Sequence, residues 1–390
     1  MNTRRAFLKA TGTASVVAVA GCADITGGGD EGPIKIGFNA PLTGFASADG
    51  QSAEQGAKLA RDLINDDGGV DGREIRLLVE DDAAASDQAV PVAKDFINNE
   101  NVHFGVSGSY STPTRAISTL YNENEVPFIS AYATHPDITN GDYTFRVGIW
   151  APLHGKVAAK IADERMDVET AAVFKMNNDF GKTISNQFVE SAKERDIEIV
   201  YTTTYDVGES NFRSALNSVK GKDPDMLHAT GYYHEAANIA KQKAEVGVKG
   251  TLFGEEGYDS PKFFELGGQS CNGTVITTNL NRGSDNEGTT TFIEEYRNKY
   301  DMRADMVAAN SYDAVRLAAK AVEEGGSTDP DTVAETIEGL TEWTDAATGP
   351  IHEFIGPGEA VRDIPVQRVK NMDWTEYAVV TDEDIIRPDV

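Results

Sequence analysis

The 390-residue chain carries 63 acidic against 35 basic side chains, a formal charge of −28. Such a surface repels nucleic acid and anionic membrane, which excludes both as partners held by charge, and resembles the acidic, solvated surfaces of proteins from salt-loving organisms. With 40% apolar and 8% aromatic residues the chain can fill two cores, since single cores stop growing near about 250–300 residues, and two lobes are expected.

The first residues read as an address. Thr3–Lys9, with Arg4 and Arg5 at its centre, has the form of a twin-arginine export signal. The small and apolar run Ala10–Ala20 falls short of the roughly 20 residues that span a bilayer, so it reads as the apolar core of a signal peptide. Val19-Ala20-Gly21-Cys22 resembles a lipobox, with Cys22 the residue to be lipidated, and the Gly-rich stretch to Gly32 reads as a flexible tether. Residues 1–21 are thus expected to be a signal peptide and 22–32 a lipidated tether. The mature protein would sit on the extracytoplasmic face of the cell membrane, and because one acyl chain binds only reversibly, a second chain or a membrane partner would be needed. Cys22 is committed to this signal, so it and Cys271 suggest no disulfide.

From residue 33 short apolar runs alternate with longer amphipathic ones. The spacing predicts strands at Ile34–Phe38, Ile75–Val79, Val102–Val106, Val126–Ser130, Ala171–Lys175, Ile197–Thr203, Met226–Thr230, Thr251–Gly254 and Gly273–Thr278. Helices are predicted between them, at Ser52–Asn65, Ser86–Asn98, Pro113–Asn122, Pro152–Arg165, Gly181–Arg195, Asn211–Lys220 and Glu235–Val246. Strand followed by helix, repeated, means an α/β protein with parallel sheets covered on both faces. Past Asn279 the alternation loosens into helices at Thr289–Tyr300, Met306–Glu323 and Asp331–Glu338, then strands at Gln367–Val369 and Tyr377–Val380, as if the chain returned to the first lobe and finished on the second.

Ligands of such sheets bind beyond the carboxyl ends of the strands. The segments there, among them Gly108–Pro113, Ala131–Pro136, Asn177–Gly181, Gly231–Glu235 and Glu255–Gly257, are rich in Thr, Ser, Tyr, Gly and Glu and would make a polar rim. Catalytic patterns nearly form but fail. Met176–Thr183 lacks the leading Gly of a phosphate loop, His234–Asn238 lacks the second His of a zinc helix, and Gly105–Ser109 lacks the last Gly of a nucleophile elbow. With six scattered histidines, no metal site, cofactor or enzymatic activity is expected.

In Ser111-Thr112-Pro113, Thr112 is expected to cap a helix whose free N–H groups suit a carboxylate, and Thr134 could add a hydroxyl. Taken alone, the first reads more readily as an ordinary cap, and the second is also readable as a turn. A carboxylate after Thr251–Gly254 would suit an ammonium group, and Tyr232 would cover a ligand. Anion donors on one lobe and a carboxylate on the other describe a receptor for an α-amino acid.

From residue 33 nearly to its end the chain resembles the leucine/isoleucine/valine-binding proteins, extracytoplasmic solute receptors of ABC transporters with the type I periplasmic-binding fold. The resemblance, of a haloarchaeal twin-arginine lipoprotein type, is carried by Ile36–Gly44, Pro127–Thr134, Gly231–Tyr233, Phe253–Gly257 and Ser311–Val315. It implies a carboxylate-binding hydroxyl at Thr112 with Ser111 beside it, a threonine contact at Thr134, main-chain contacts at Tyr132 and Ala133, a covering Tyr232 and an ammonium-binding Glu256. Glu255 keeps the reading of a surface charge. Two positions depart from the family: Phe180 stands for a tyrosine, and Asp49 for an aromatic residue of the aliphatic pocket. Burying Asp49 unpaired would cost several kcal/mol, so either it faces solvent or the ligand is more polar than leucine.

The resemblance implies a monomeric receptor that closes on an amino acid and delivers it to an ABC permease. Its first lobe would comprise residues 33–148 and 280–348, its second 149–279 and 349–390, with crossovers near Gly148, Asn279 and Gly349. A small amide or urea-type ligand, a sensory ectodomain and a secreted hydrolase are the rival readings. Asn272-Gly273-Thr274 matches a glycosylation sequon.

Overall fold

The computed structural model describes residues 32–390. The twin-arginine segment, Cys22 and the tether as far as Glu31 lie outside the described residues. The first lobe opens with β1 (Ile34–Ala40), α1 (Ser47–Asp66), β2 (Ile75–Asp81), α2 (Ser86–Asp95), β3 (Phe104–Ser107), α3 (Ser111–Glu123), β4 (Phe128–Ser130) and β5 (Thr144–Arg146). The second lobe follows as α4 (Ala151–Met166), β6 (Thr170–Met176), α5 (Asp179–Glu194), β7 (Glu198–Tyr205), α6 (Arg213–Lys220), β8 (Met226–Ala229), α7 (Tyr233–Val246), β9 (Thr251–Gly254), α8 (Pro261–Gly267) and β10 (Val275–Thr277). The chain returns to the first lobe through α9 (Glu287–Tyr300), α10 (Met306–Gly325), α11 (Pro330–Gly339), β11 (Thr341–Trp343), β12 (Ile351–Ile355) and β13 (Glu359–Arg362). It ends on the second with β14 (Ile364–Lys370), β15 (Asp373–Val380) and α12 (Glu383–Ile386).

Two sheets result. The first has the order β11-β12-β13-β5-β4-β3-β1-β2 and the second β15-β14-β10-β9-β8-β6-β7. The strands from β1 to β10 pair in parallel, as strand–helix alternation requires, because each crossover helix returns the chain to the same end of the sheet. The α/β class and its two mainly parallel sheets agree with expectation. The late strands differ: β11–β12, β12–β13, β10–β14 and β14–β15 are antiparallel, so each sheet is mixed.

The third passage between lobes also differs from its expected place. β12 and β13 pair in the first sheet, so the chain leaves the first lobe between Arg362 and Ile364 rather than near Gly349. Gly349, with φ +93°, instead turns the chain into β12. Buried Ile351, Phe354 and Val361 attach this hairpin to the core, but its strands are too short for their alternation to stand out.

Arg362 stands at that third passage with 1% of its surface exposed. It donates to the Val147 carbonyl on the first passage (3.1 Å), the Asn279 carbonyl on the second (3.2 Å) and the Thr348 hydroxyl (2.7 Å). Within the first lobe, α1 and α10 pack closely at Gly56, where a Cβ would lie 2.0 Å from the Ala308 carbonyl oxygen.

Candidate functional site

The carboxyl ends of the parallel strands of both sheets converge on one cavity. It is tight, with a cavity volume of about 20 Å³, little more than room for a water molecule. Its walls include Asp49, Tyr110, Ser111, Tyr132 and Ala133 from the first lobe and Phe180, Tyr232, Glu256 and Gly257 from the second. The lobes meet around it: His234 Nε2 lies 3.0 Å from the Phe45 carbonyl, and Arg115 pairs with Asp179 at 3.0 Å. The cleft is closed.

On the first lobe, α3 begins at Ser111 with Tyr110 at the N-cap and no side chain capping it. Ser111 is buried, and its hydroxyl accepts the Thr134 N–H at 3.2 Å. Thr134 is fully buried, and its own hydroxyl has no protein partner. An uncapped helix start beside a buried, unpaired hydroxyl is suited to an anionic group such as a carboxylate. Thr112 is corrected: one residue further along the helix it is exposed, and its carbonyl accepts from Ser86. The helix starts earlier than the Thr-Pro pair suggested, which turns Thr112 outward and gives its expected place to Ser111.

The turn carrying Ala133 and Thr134 is held from beneath. Arg146 on β5 donates to the carbonyls of Ala133 and His135, each at 2.7 Å, and forms a buried pair with Glu359 on β13, with Nε–Oε2 3.0 Å and Nη2–Oε1 3.1 Å. Tyr132 donates its hydroxyl to the Gly108 carbonyl at 2.9 Å.

On the second lobe, both carboxylates after β9 are buried. Glu256 lines the cavity and accepts from the Asn279 amide, with His154 Nε2 at 3.5 Å. Glu255 is not a surface charge. It is 1% exposed, its Oε1 accepts the Gly231 N–H at 2.8 Å and its Oε2 is unpaired. Burial drives its pKa well above the usual carboxylate range, and neighbouring Glu256 adds to that rise. Glu255 therefore braces the loop, while Glu256 faces the cavity. The loops bearing Tyr232 and Glu256 touch through Gly257, where a Cβ would sit 2.3 Å from the Gly231 carbonyl oxygen.

Three rings form a wall. Tyr232 stacks on Tyr110 across the cleft, centroids 4.1 Å apart, and on Phe180 at 5.5 Å. The Tyr232 hydroxyl accepts from Asn178 at 3.0 Å. Phe180 thus acts as an apolar platform, consistent with the loss of the hydroxyl expected there.

Asp49 does not face solvent. It is 4% exposed, lines the cavity, and its Oδ2 accepts the Tyr110 hydroxyl at 2.7 Å while its Oδ1 has no partner. Burial raises its pKa from 3.8 to about 7; the Tyr110 bond opposes the rise and the Asp305 carboxylate reinforces it.

Sequence reasoning missed Tyr110 and Met306 in the lining and His154 and Asn279 behind Glu256. Tyr110 belongs to a strand-end segment already singled out, whereas His154 and Asn279 lie more than twenty residues from Glu256 and meet it only in the fold. Among the described residues no group of three or more His, Cys, Asp or Glu is placed to hold a metal ion.

The periplasmic binding protein family model matches residues 33–373. The leucine-, isoleucine-, valine-, threonine- and alanine-binding protein of Pseudomonas aeruginosa is 27% identical over 330 residues, 84% of this chain and 87% of that protein. Among solved structures, a leucine-binding protein of Thermotoga maritima superposes with a TM-score of 0.83 at 28% identity, covering 90% of this chain and 99% of its own. A branched-chain amino acid transporter substrate-binding protein of Streptococcus pneumoniae, in complex with isoleucine, also gives 0.83, at 27% identity, over 89% of this chain and 99% of its own. The family match runs from the first strand into the last hairpin and takes in both lobes, and this chain belongs to the periplasmic binding proteins.

Proposed function

We propose that this protein is the extracytoplasmic solute receptor of an ABC importer, binding an α-amino acid between its lobes and presenting it to the permease. The observation that carries the reading is the opposition of two kinds of wall. One lobe offers an uncapped helix start with Ser111 and the unpaired Thr134 hydroxyl; the other offers Glu256, and no Lys or Arg lines the cavity. A zwitterion with carboxylate and ammonium on one carbon satisfies both, and closing the cleft strengthens each contact by excluding water. The amino acids named for the Pseudomonas and Streptococcus relatives support the same class. The receptor would act as a monomer, with no cofactor and no catalysis.

The address belongs to the same proposal. A twin-arginine signal would export the folded chain, and Cys22 would carry the lipid that holds it at the membrane. Among the described residues no helix is long and apolar enough to cross a membrane.

A thermal-shift screen of the full chain in molar salt, against amino acids, small amides and short peptides, tests the reading. A ligand at a hundred times its dissociation constant adds about 2.7 kcal/mol to the native state. Stabilisation by an α-amino acid, lost when its ammonium or carboxylate is blocked, is expected; stabilisation by an amide alone would reject the ligand class and leave the fold unaffected.

A further inference from the structure

The cavity holds a second acid whose role the amino-acid reading leaves unassigned. Glu256 accounts for the ammonium, yet Asp49 lines the same space from the opposite lobe, 96% removed from solvent. Only one of its oxygens is engaged within hydrogen-bond distance, by Tyr110; the other has no partner at that distance, with the Ser260 hydroxyl facing the carboxyl from further off. Tyr110 is itself fixed by its stack on Tyr232, so the Asp49–Tyr110 pair is part of the wall. No lysine or arginine lines the cavity to neutralise either acid. A hydrocarbon side chain pressed against Asp49 would leave that oxygen buried and unpaired, at a free-energy cost that works against binding.

Resting on the amino-acid reading, we infer that Asp49 is the specificity-determining residue of the site and selects an amino acid whose side chain donates a hydrogen bond, as a hydroxyl or an ammonium does, over one that is purely aliphatic. A site built around a buried acceptor discriminates strongly, because the ligand that lacks the donor leaves the acceptor unpaired. The same geometry explains why an acid is tolerated in the pocket of a closed receptor: the ligand supplies the missing partner.

Calorimetric titration of the full chain with matched ligands tests this. The pairs are threonine against valine, 2,4-diaminobutyrate against norvaline, and ornithine against norleucine, each differing chiefly by the donor. In at least one pair the donor-bearing member should bind ten-fold or more tightly, and the responding pair distinguishes hydroxyl from ammonium. Asp49→Leu should reverse that preference, and the near-isosteric Asp49→Asn, which preserves the fold more safely, should weaken an ammonium ligand at least ten-fold. If the aliphatic member of every pair binds at least as tightly to the unaltered protein, Asp49 does not select the side chain, although the amino-acid reading stands. If no α-amino acid binds, the reading and this inference fall together.

Discussion

At the scale of single residues, the two adjacent glutamates divide their work by where each oxygen points. Glu256→Ala should weaken amino-acid binding by about 3–5 kcal/mol, the loss expected when a desolvated ammonium is left without its partner, which is at least about a hundredfold in dissociation constant. Glu255→Gln should leave affinity nearly unchanged, because the amide oxygen can still accept the Gly231 N–H and burial already disfavours the charged carboxylate. Equal losses in the two variants, measured by titration, would mean that both carboxylates reach the ligand.

Asp49 makes the ligand-free protein sensitive to pH. Its pKa rises on folding from 3.8 to about 7, so the buried charged form opposes folding. The cost is absent below about pH 4, grows as pH climbs, and is complete above about pH 7. The groups facing it are Tyr110, Asp305, His234 and the Ser260 hydroxyl, and Asp305 is raised to about 6 in the same sense. Asp49→Asn should therefore raise the melting temperature of the ligand-free protein at pH 8, by up to about 4 kcal/mol of stability, and flatten its fall between pH 4 and 8. A parallel profile in both proteins would show that Asp49 stays solvated.

At the scale of elements, the turn that carries Ala133 and Thr134 depends on a strand from the far end of the chain. Glu359→Gln removes the anionic partner of Arg146 in a fully buried setting, and should cost about 3–5 kcal/mol in denaturant unfolding. It should also weaken ligand binding, because Arg146 positions the Ala133 and His135 carbonyls. Destabilisation with full affinity would show that the Ser111–Thr134 bond alone sets the turn.

This dependence also marks where sequence reading ends. Most elements from Ile34 to Thr277 were legible because crossover helices and buried strands leave strong, separate periodicities, and Thr251–Gly254 coincides with its predicted bounds, whereas the three-residue β5 and the short α8 were not anticipated. β12 and β13 are short, flank Gly356 and Gly358, and owe their place to partners far away in the chain, which local pattern does not encode. The site's residue types were legible at the strand ends. Their orientations were not: Thr112 was placed by a capping rule that the observed helix start shifts, and Glu255 by an acidic composition that says nothing of any one carboxylate.

At the scale of the whole molecule, two lobes are joined by three passages, and those passages are not independent. Arg362 joins the first and second from its place at the third, and Asn279 on the second also donates to Glu256 and accepts the Ile149 N–H at 3.0 Å. Arg362→Lys keeps the charge but cannot span the same acceptors. The ligand-free variant should sample wider openings, seen as a larger radius of gyration in X-ray scattering, while its ligand-bound radius matches the parent. Identical ligand-free radii would show that packing alone limits the opening.

The guanidinium of Arg362 thus makes three separate ropes into one axle, and Asn279 runs from that axle to Glu256. Glu256 is two hydrogen bonds from the pivot. If the proposed function holds, occupancy would reach a permease as a change of angle between two bodies that each keep their own shape.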